Sequence, residues 1–180
     1  MTSQDFLNFK VDENKSLQRL VSFQDQVLEL AVKVVIDPTY GWITATTILY
    51  GCRPEEIFSL IPNANGTGSV LNIKNTYQYN LRRKVLAIPK DFVEKLNICD
   101  QVSKPISTIT LNEFNKQEVK VIMDNWSNWF KRINNELTLN DFRDLWAYRS
   151  IKEGISSKNL ASYMGVTHVE FLKRYRTLLN

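Results

Sequence analysis

The run Asn63-Ala64-Asn65-Gly66-Thr67-Gly68-Ser69-Val70-Leu71-Asn72-Ile73 is where the chain changes its period. Asparagine and glycine at residues 63–68 are turn chemistry, because both tolerate the backbone angles a reversal needs. Val70, Leu71 and Ile73 then read as a strand, and Val85, Leu86 and Ile88 as a second. Residues 76–80 between them read as a hairpin tip. Pro89 stops the second strand because it has no N–H for the ladder.

On either side of this segment the period is helical. Upstream, Leu17, Leu20, Val21, Val27, Leu28, Ala31, Val32 and Val35 predict a helix over about 15–36, ended by Asp37-Pro38. Residues 43–50 are an apolar segment of strand or helix character closed by Gly51, and a short helix is expected after Pro54. Downstream, residues 91–96 predict a short helix, and Pro105 marks a loop. Val119, Ile122, Met123, Trp126, Trp129, Phe130 and Ile133 then form one long apolar stripe, read as core. Thr138 is placed to cap a helix ending at Gly154, and Ser156 or Ser157 to cap one ending at Gly165. Thr167-His168-Val169-Glu170 is a capping box opening the last helix, with Phe171, Leu172 and Tyr175 on it. The fold class expected is α+β, mainly helical with a small antiparallel β-sheet. It divides into a tail over 1–14 and one domain over 15–180.

Composition narrows the function classes. At 180 residues the chain can bury a core without staples, and 43% hydrophobic with 23% charged residues excludes wholesale disorder. No apolar run is long enough to span a bilayer, and the polar N-terminus has no signal-peptide core, which points to the cytoplasm and away from membranes. Cys52 and Cys99 fit no disulfide or metal spacing and read as free thiols. With His168 the single histidine, a histidine-rich zinc site is excluded, and no metal or cofactor is expected. The net charge of +4 is mild, but it is clustered. Residues 72–95 carry Lys74, Arg82, Arg83, Lys84, Lys90 and Lys95 against Asp91 and Glu94. The C-terminal segment carries Arg143, Arg149, Lys152, Lys158, Lys173, Arg174 and Arg176 against fewer acids. Such clustering is the footprint of an anionic polymer, and also of a solvated face.

Nucleotide-binding glycine loops and acyl-transfer motifs are absent from the sequence. What remains is arginine, lysine and tyrosine. These residues suit a phosphate held by guanidinium groups and attacked by a phenol.

On that chemistry a family resemblance rests. The stretch Leu49-Tyr50-Gly51-Cys52-Arg53-Pro54-Glu55-Glu56-Ile57-Phe58-Ser59-Leu60 resembles the first arginine box of the tyrosine recombinases, the phage-integrase family. Asn140-Asp141-Phe142-Arg143 resembles the family's His-x-x-Arg box. Ala161-Ser162-Tyr163-Met164-Gly165-Val166 resembles its Leu-Gly-His segment, and Tyr175 follows at the spacing of the nucleophile. Asn140 and Val166 depart from the usual histidine (or, at Val166, tryptophan), and His168 is two positions out of register. The resemblance implies a catalytic domain that cleaves and rejoins DNA through a 3′-phosphotyrosine, slowed by the missing histidines. It implies Arg53 and Arg143 as the phosphate clamp, Asn140 as a further donor and Tyr175 as nucleophile. Lys74 fits the family's hairpin lysine best, with Lys84 and Arg82 as rivals. Duplex DNA is the implied partner, bound through Arg82, Arg83, Lys84, Lys173, Arg174 and Arg176, with copies of the chain assembling on it.

Two other classes of reading stand beside this one. Residues 157–169 also read as a helix-turn-helix, which makes the chain a DNA-binding regulator without chemistry. A relative that keeps DNA binding and has lost cleavage is the third. In ordinary structural roles, Arg53 pairs with Glu56, Arg143 with Asp144 or a neighbour, and the Tyr175 ring packs with Leu172 and Leu179.

Overall fold

The computed structural model describes residues 17–63, 66–72, 81–87 and 116–179. Its centre is a helix, α2 (Gly41–Tyr50), preceded by α1 (Gln24–Val35). Every residue of α2 is buried, as expected of a segment apolar on all sides. This resolves the strand-or-helix ambiguity of residues 43–50 in favour of helix. Of its buried threonines, Thr47 Oγ1 donates to the Ile43 carbonyl at 2.9 Å and Thr44 Oγ1 accepts from Trp126 Nε1 of a later helix at 3.2 Å, while the Thr46 hydroxyl has no partner among the described residues.

The helix predicted over 15–36 is interrupted. Residues 17–22 are helical, Phe23 leaves helical geometry, and α1 starts at Gln24. The Ser22 hydroxyl donates back to the Gln18 carbonyl at 3.0 Å, which competes with the backbone ladder and bends it. At the other end the Asp37 carboxylate accepts from the N–H groups of Thr39 and Tyr40, so the reversal into α2 is an Asx turn.

The short helix after Pro54 is a 3₁₀ turn, Glu56–Ser59. The sheet follows, with β1 (Ile61–Pro62), β2 (Thr67–Leu71) and β3 (Arg82–Leu86) antiparallel in the order β1-β2-β3. Sequence reading found β2 and β3 but not the two-residue edge strand β1. In the β2–β3 register Val70 stands opposite Arg83 and Gly68 opposite Val85. Val70 and Val85 are fully buried, so Arg83, two residues from Val85 on the same strand, lies on the core-facing side.

Helices complete the fold: α3 (Lys116–Lys131), α4 (Leu139–Lys152), α5 (Ser157–Met164) and α6 (His168–Tyr175). On α3, Trp126 and Phe130 are core and their rings stack at 4.9 Å. The predicted stripe stops short of Ile133, which is exposed. Asn134 Oδ1 accepts from Glu136 and Leu137 N–H groups and turns the chain there. On α4, Phe142, Leu145, Trp146 and Ala147 are buried against α2. Trp146 Nε1 donates to the Leu49 carbonyl at 2.8 Å. Gly51 ends α2 with φ 59°, and a Cβ there would lie 2.5 Å from the Trp146 ring. Both facts demand glycine.

The caps of the last two helices match the sequence: Ser156 accepts from Asn159 N–H, and Thr167 and Glu170 form the capping box of α6. Among the described residues, no helix is long and apolar enough to cross a membrane. The mainly helical fold with a three-stranded antiparallel sheet is the α+β class expected. The 1–14 tail, the hairpin tip 76–80, the helix 91–96, Lys74 and Cys99 lie outside the described residues.

Candidate functional site

The site forms where α5 ends. Gly165 closes that helix in the left-handed region, φ 65°, and leaves the last carbonyls pointing outward. Three guanidinium groups from three different segments meet them. Arg83 Nε donates to the Tyr163 carbonyl at 3.1 Å, Arg143 Nη2 to Met164 at 2.7 Å, and Arg53 Nη2 to Gly165 at 3.0 Å. A helix C-terminus is the negative end of the macrodipole, so cations gather there favourably.

Glu56 fixes two of the three. Its carboxylate is fully buried and takes both Arg83 nitrogens, at 2.8 and 2.6 Å, in a bidentate pair. It also accepts from Arg53 Nη1 at 3.3 Å and from the Arg53 backbone N–H at 2.9 Å. Arg143 is anchored separately, its Nε on the Gly51 carbonyl at 2.8 Å. Burial pulls the Arg143 guanidinium below its ordinary value. Three cations with one carboxylate leave an excess of positive charge, the electrostatics of an anion site.

Beside this cluster lies a recess of about 260 Å³ whose lining includes Asn140, Arg143, Asp144, Val166, Arg174 and Tyr175. The Tyr175 ring packs on Phe171, with ring centroids 4.7 Å apart, and the residue is 2% exposed. Its hydroxyl donates to Asp144 Oδ1 at 2.5 Å. Arg174 closes the group with Nε on Asp144 Oδ1 at 3.1 Å and Nη2 on Oδ2 at 2.6 Å. Burial, and then the Asp144 carboxylate, push the Tyr175 phenol above its usual range, so at neutral pH it keeps its proton.

Arg143 belongs to both groups: it shares the α5 terminus with Arg53 and lines the recess with Asn140 and Tyr175. The Arg53–Glu56 pairing read from sequence is present. The Arg143–Asp144 pairing is not: Arg143 turns to backbone carbonyls, and Asp144 serves Arg174 and Tyr175. The Tyr175 ring packs on Phe171.

The six basic residues assigned to DNA fall into different settings. The Arg83 side chain is 8% exposed and engaged by Glu56, so it is a buried structural cation and not a surface contact. Arg82 folds back on the sheet: it donates to Ser69 Oγ and the Ser69 carbonyl at 2.9 and 2.7 Å, and to the Ser59 carbonyl. Partial burial lowers its guanidinium pKa. Lys84, Lys173 and Arg176 are exposed, and the Arg174 side chain is half-exposed. His168 bonds Ser157 Oγ at 2.9 Å on the exposed first turn of α6.

Two roles were missed. Asp144 had a signal, a lone carboxylate within the apolar run Phe142–Tyr148. The inward role of Arg83 also had one, its two-residue spacing from Val85. Cys52 is a free, buried thiol pushed up to about 12 by its burial, and therefore unreactive. Among the described residues, no group of three His, Cys, Asp or Glu could hold a metal ion.

No family model matches the chain, and no solved structure does. Among curated proteins it is similar to Excisase C of Nostoc sp. (strain PCC 7120 / SAG 25.82 / UTEX 2576), 26% identical over 147 residues. That match covers 76% of this chain but 28% of the relative, so the chain spans little more than a quarter of the curated protein it resembles.

Proposed function

We propose that this chain acts on duplex DNA in site-specific recombination, as a tyrosine-recombinase-like domain that cleaves and rejoins strands through a phosphotyrosine. The observation that carries the reading is the meeting of Arg53 and Arg143 on adjacent carbonyls of the α5 terminus, beside a recess that holds Tyr175. The similarity to a protein named for excision supports the same reading.

In this reading Arg53 and Arg143 bind the non-bridging oxygens of the scissile phosphate. Their hydrogen bonds gain strength as charge accumulates in the pentacoordinate transition state. Asn140, on the exposed lip of the recess, donates a further hydrogen bond but cannot carry a proton. Lys74 protonates the leaving 5′ oxygen. Tyr175 attacks phosphorus and conserves the bond energy in a covalent link, so rejoining needs no cofactor. Lys84, Lys173 and Arg176 bind the flanking backbone, and copies of the chain assemble on the DNA.

The helices α5 and α6 with Gly165 between them favour the binding-only alternative, a helix-turn-helix module without cleavage. Incubation with a nicked duplex, in which the cleaved end diffuses away, separates the two. The recombinase reading expects a denaturant-resistant protein–DNA band with wild type and none with Tyr175→Phe. Binding without any band leaves the helix-turn-helix module.

A further inference from the structure

The phenol of a nucleophilic tyrosine must lose its proton as it attacks, and the recess identifies an acceptor. Asp144 Oδ1 stands 2.5 Å from Tyr175 Oη, within direct proton-transfer distance. The rival groups of the recess fail for chemical reasons. Asn140 is an amide. Glu170 is turned to the capping box of α6, its Oε2 accepting from the Thr167 N–H and hydroxyl at 2.7 and 2.8 Å, whereas the Tyr175 hydroxyl donates to Asp144. Arg174 grips Asp144 on both oxygens and fixes the direction of its lone pairs. A nucleophile, a base and a group that orients the base form the arrangement by which hydroxyl nucleophiles are activated.

We propose that Asp144 is the catalytic base for Tyr175, oriented by Arg174, an assignment that rests on the recombinase reading above. As the Tyr175 Oη–P bond forms, the phenolic proton passes to Asp144 Oδ1. The P–O5′ bond breaks, its electron pair leaves with O5′, and O5′ takes a proton from the general acid or from solvent. Rejoining reverses each transfer: the 5′ hydroxyl attacks phosphorus and gives up its proton, and Asp144 returns its proton to Tyr175. A free phenolate would sit beside the Asp144 carboxylate in a buried site, so transfer accompanies bond formation and does not precede it.

The test measures the rate of covalent adduct formation by the full chain on a nicked duplex. In Asp144→Asn the amide oxygen still accepts the Tyr175 hydrogen bond but cannot take its proton. The rate is expected to fall about 100-fold or more while DNA affinity is kept. Asp144→Ala is expected to regain at least about tenfold in added sodium formate and nothing in sodium chloride of equal strength, a rescue that general-base help allows and a packing role does not. Should the Asn and Ala variants lose cooperative unfolding, Asp144→Glu keeps the carboxylate one methylene displaced. It must then form adduct measurably, and adduct no slower than wild type in folded Asp144→Asn overturns the assignment. A Glu variant that is folded, binds DNA and forms no adduct overturns it too. Wild type that binds DNA and never forms adduct sinks the recombinase reading itself, and the base with it.

Discussion

The two halves of the site are held by different physics. Around Glu56, a fully buried carboxylate fixes two guanidiniums, and three arginines tie the segment after α2, strand β3 and helix α4 to the end of α5. Around Asp144, the carboxylate is 10% exposed and its guanidinium partner, Arg174, is 44% exposed. The first cluster is built once, on folding, and has no cheap alternative in water. The second joins α4 to the last helix, and solvent or a phosphate can compete for its arginine. Under the proposed function this division suits the two roles: a clamp for a fixed phosphate benefits from rigid donors, whereas a nucleophile must move relative to its target.

This contrast is broken most directly by removing the two carboxylates in turn. Glu56→Gln leaves buried guanidiniums without their counter-charge, and urea unfolding is expected to register a loss of about 3–5 kcal/mol. In Asp144→Asn solvent can rehydrate the half-exposed Arg174, so the loss should be smaller, about 1–2 kcal/mol. Equal losses would mean that the tyrosine end is as deeply built into the fold as the arginine end.

A smaller effect is expected at the joint between the clamp and the hairpin. A Cβ on Gly165 would lie 2.8 Å from the Arg83 guanidinium, at a φ of 65°. Gly165→Ala should therefore cost about 1–2 kcal/mol from the left-handed backbone alone. A double-mutant cycle with Arg83→Met sharpens the point. Coupling beyond the additive sum places the Arg83 contact at the origin of the rest, and strict additivity removes it.

What the sequence revealed, and what it hid, follows the same divide. Caps and turns are local, so Gly51, Ser156, Gly165, Thr167 and Glu170 could be read from residue type and spacing. The convergence of Arg53, Arg143 and Tyr175 was legible through the order of the boxes. The partners of the arginines were not. Arg143 pairs with backbone carbonyls of Gly51 and Met164, which carry no side-chain signature at all. The three adjacent cations Arg82, Arg83 and Lys84 looked alike as a basic patch, yet strand alternation sends the middle one inward to a carboxylate 27 positions away.

That sorting has a consequence for DNA binding. Reversing all three charges together would test folding through Arg83 more than contact with DNA. Lys84→Glu alone is the clean probe of the exposed face. It should leave the thermal midpoint nearly unchanged, weaken binding to any duplex sequence, and lower the slope of log affinity against log salt by about 1. An unchanged slope would take β3 out of the interface.

The smallest expected effect lies at the start of α6, which carries Arg174 and Tyr175. Glu170 accepts from the Thr167 N–H at 2.7 Å and the Thr167 hydroxyl at 2.8 Å. The backbone hydrogen bond, then the hydroxyl, hold its carboxyl below the ordinary glutamate value. Because the folded value is depressed, this contribution to stability is present above the unfolded glutamate range, near pH 4.3, and is lost as pH falls through the folded value. Glu170→Gln retains an oxygen for both hydrogen bonds but cannot titrate. Between pH 7 and pH 3, wild type should therefore lose about 0.5 kcal/mol more stability than the variant, a small figure because the carboxylate faces solvent. An equal loss in both proteins would mean that the charge contributes nothing, leaving α6 anchored by the burial of Phe171 and Tyr175. A much larger difference would make the capping box as stiff a fixture as Glu56 and erase the contrast between the two halves of the site.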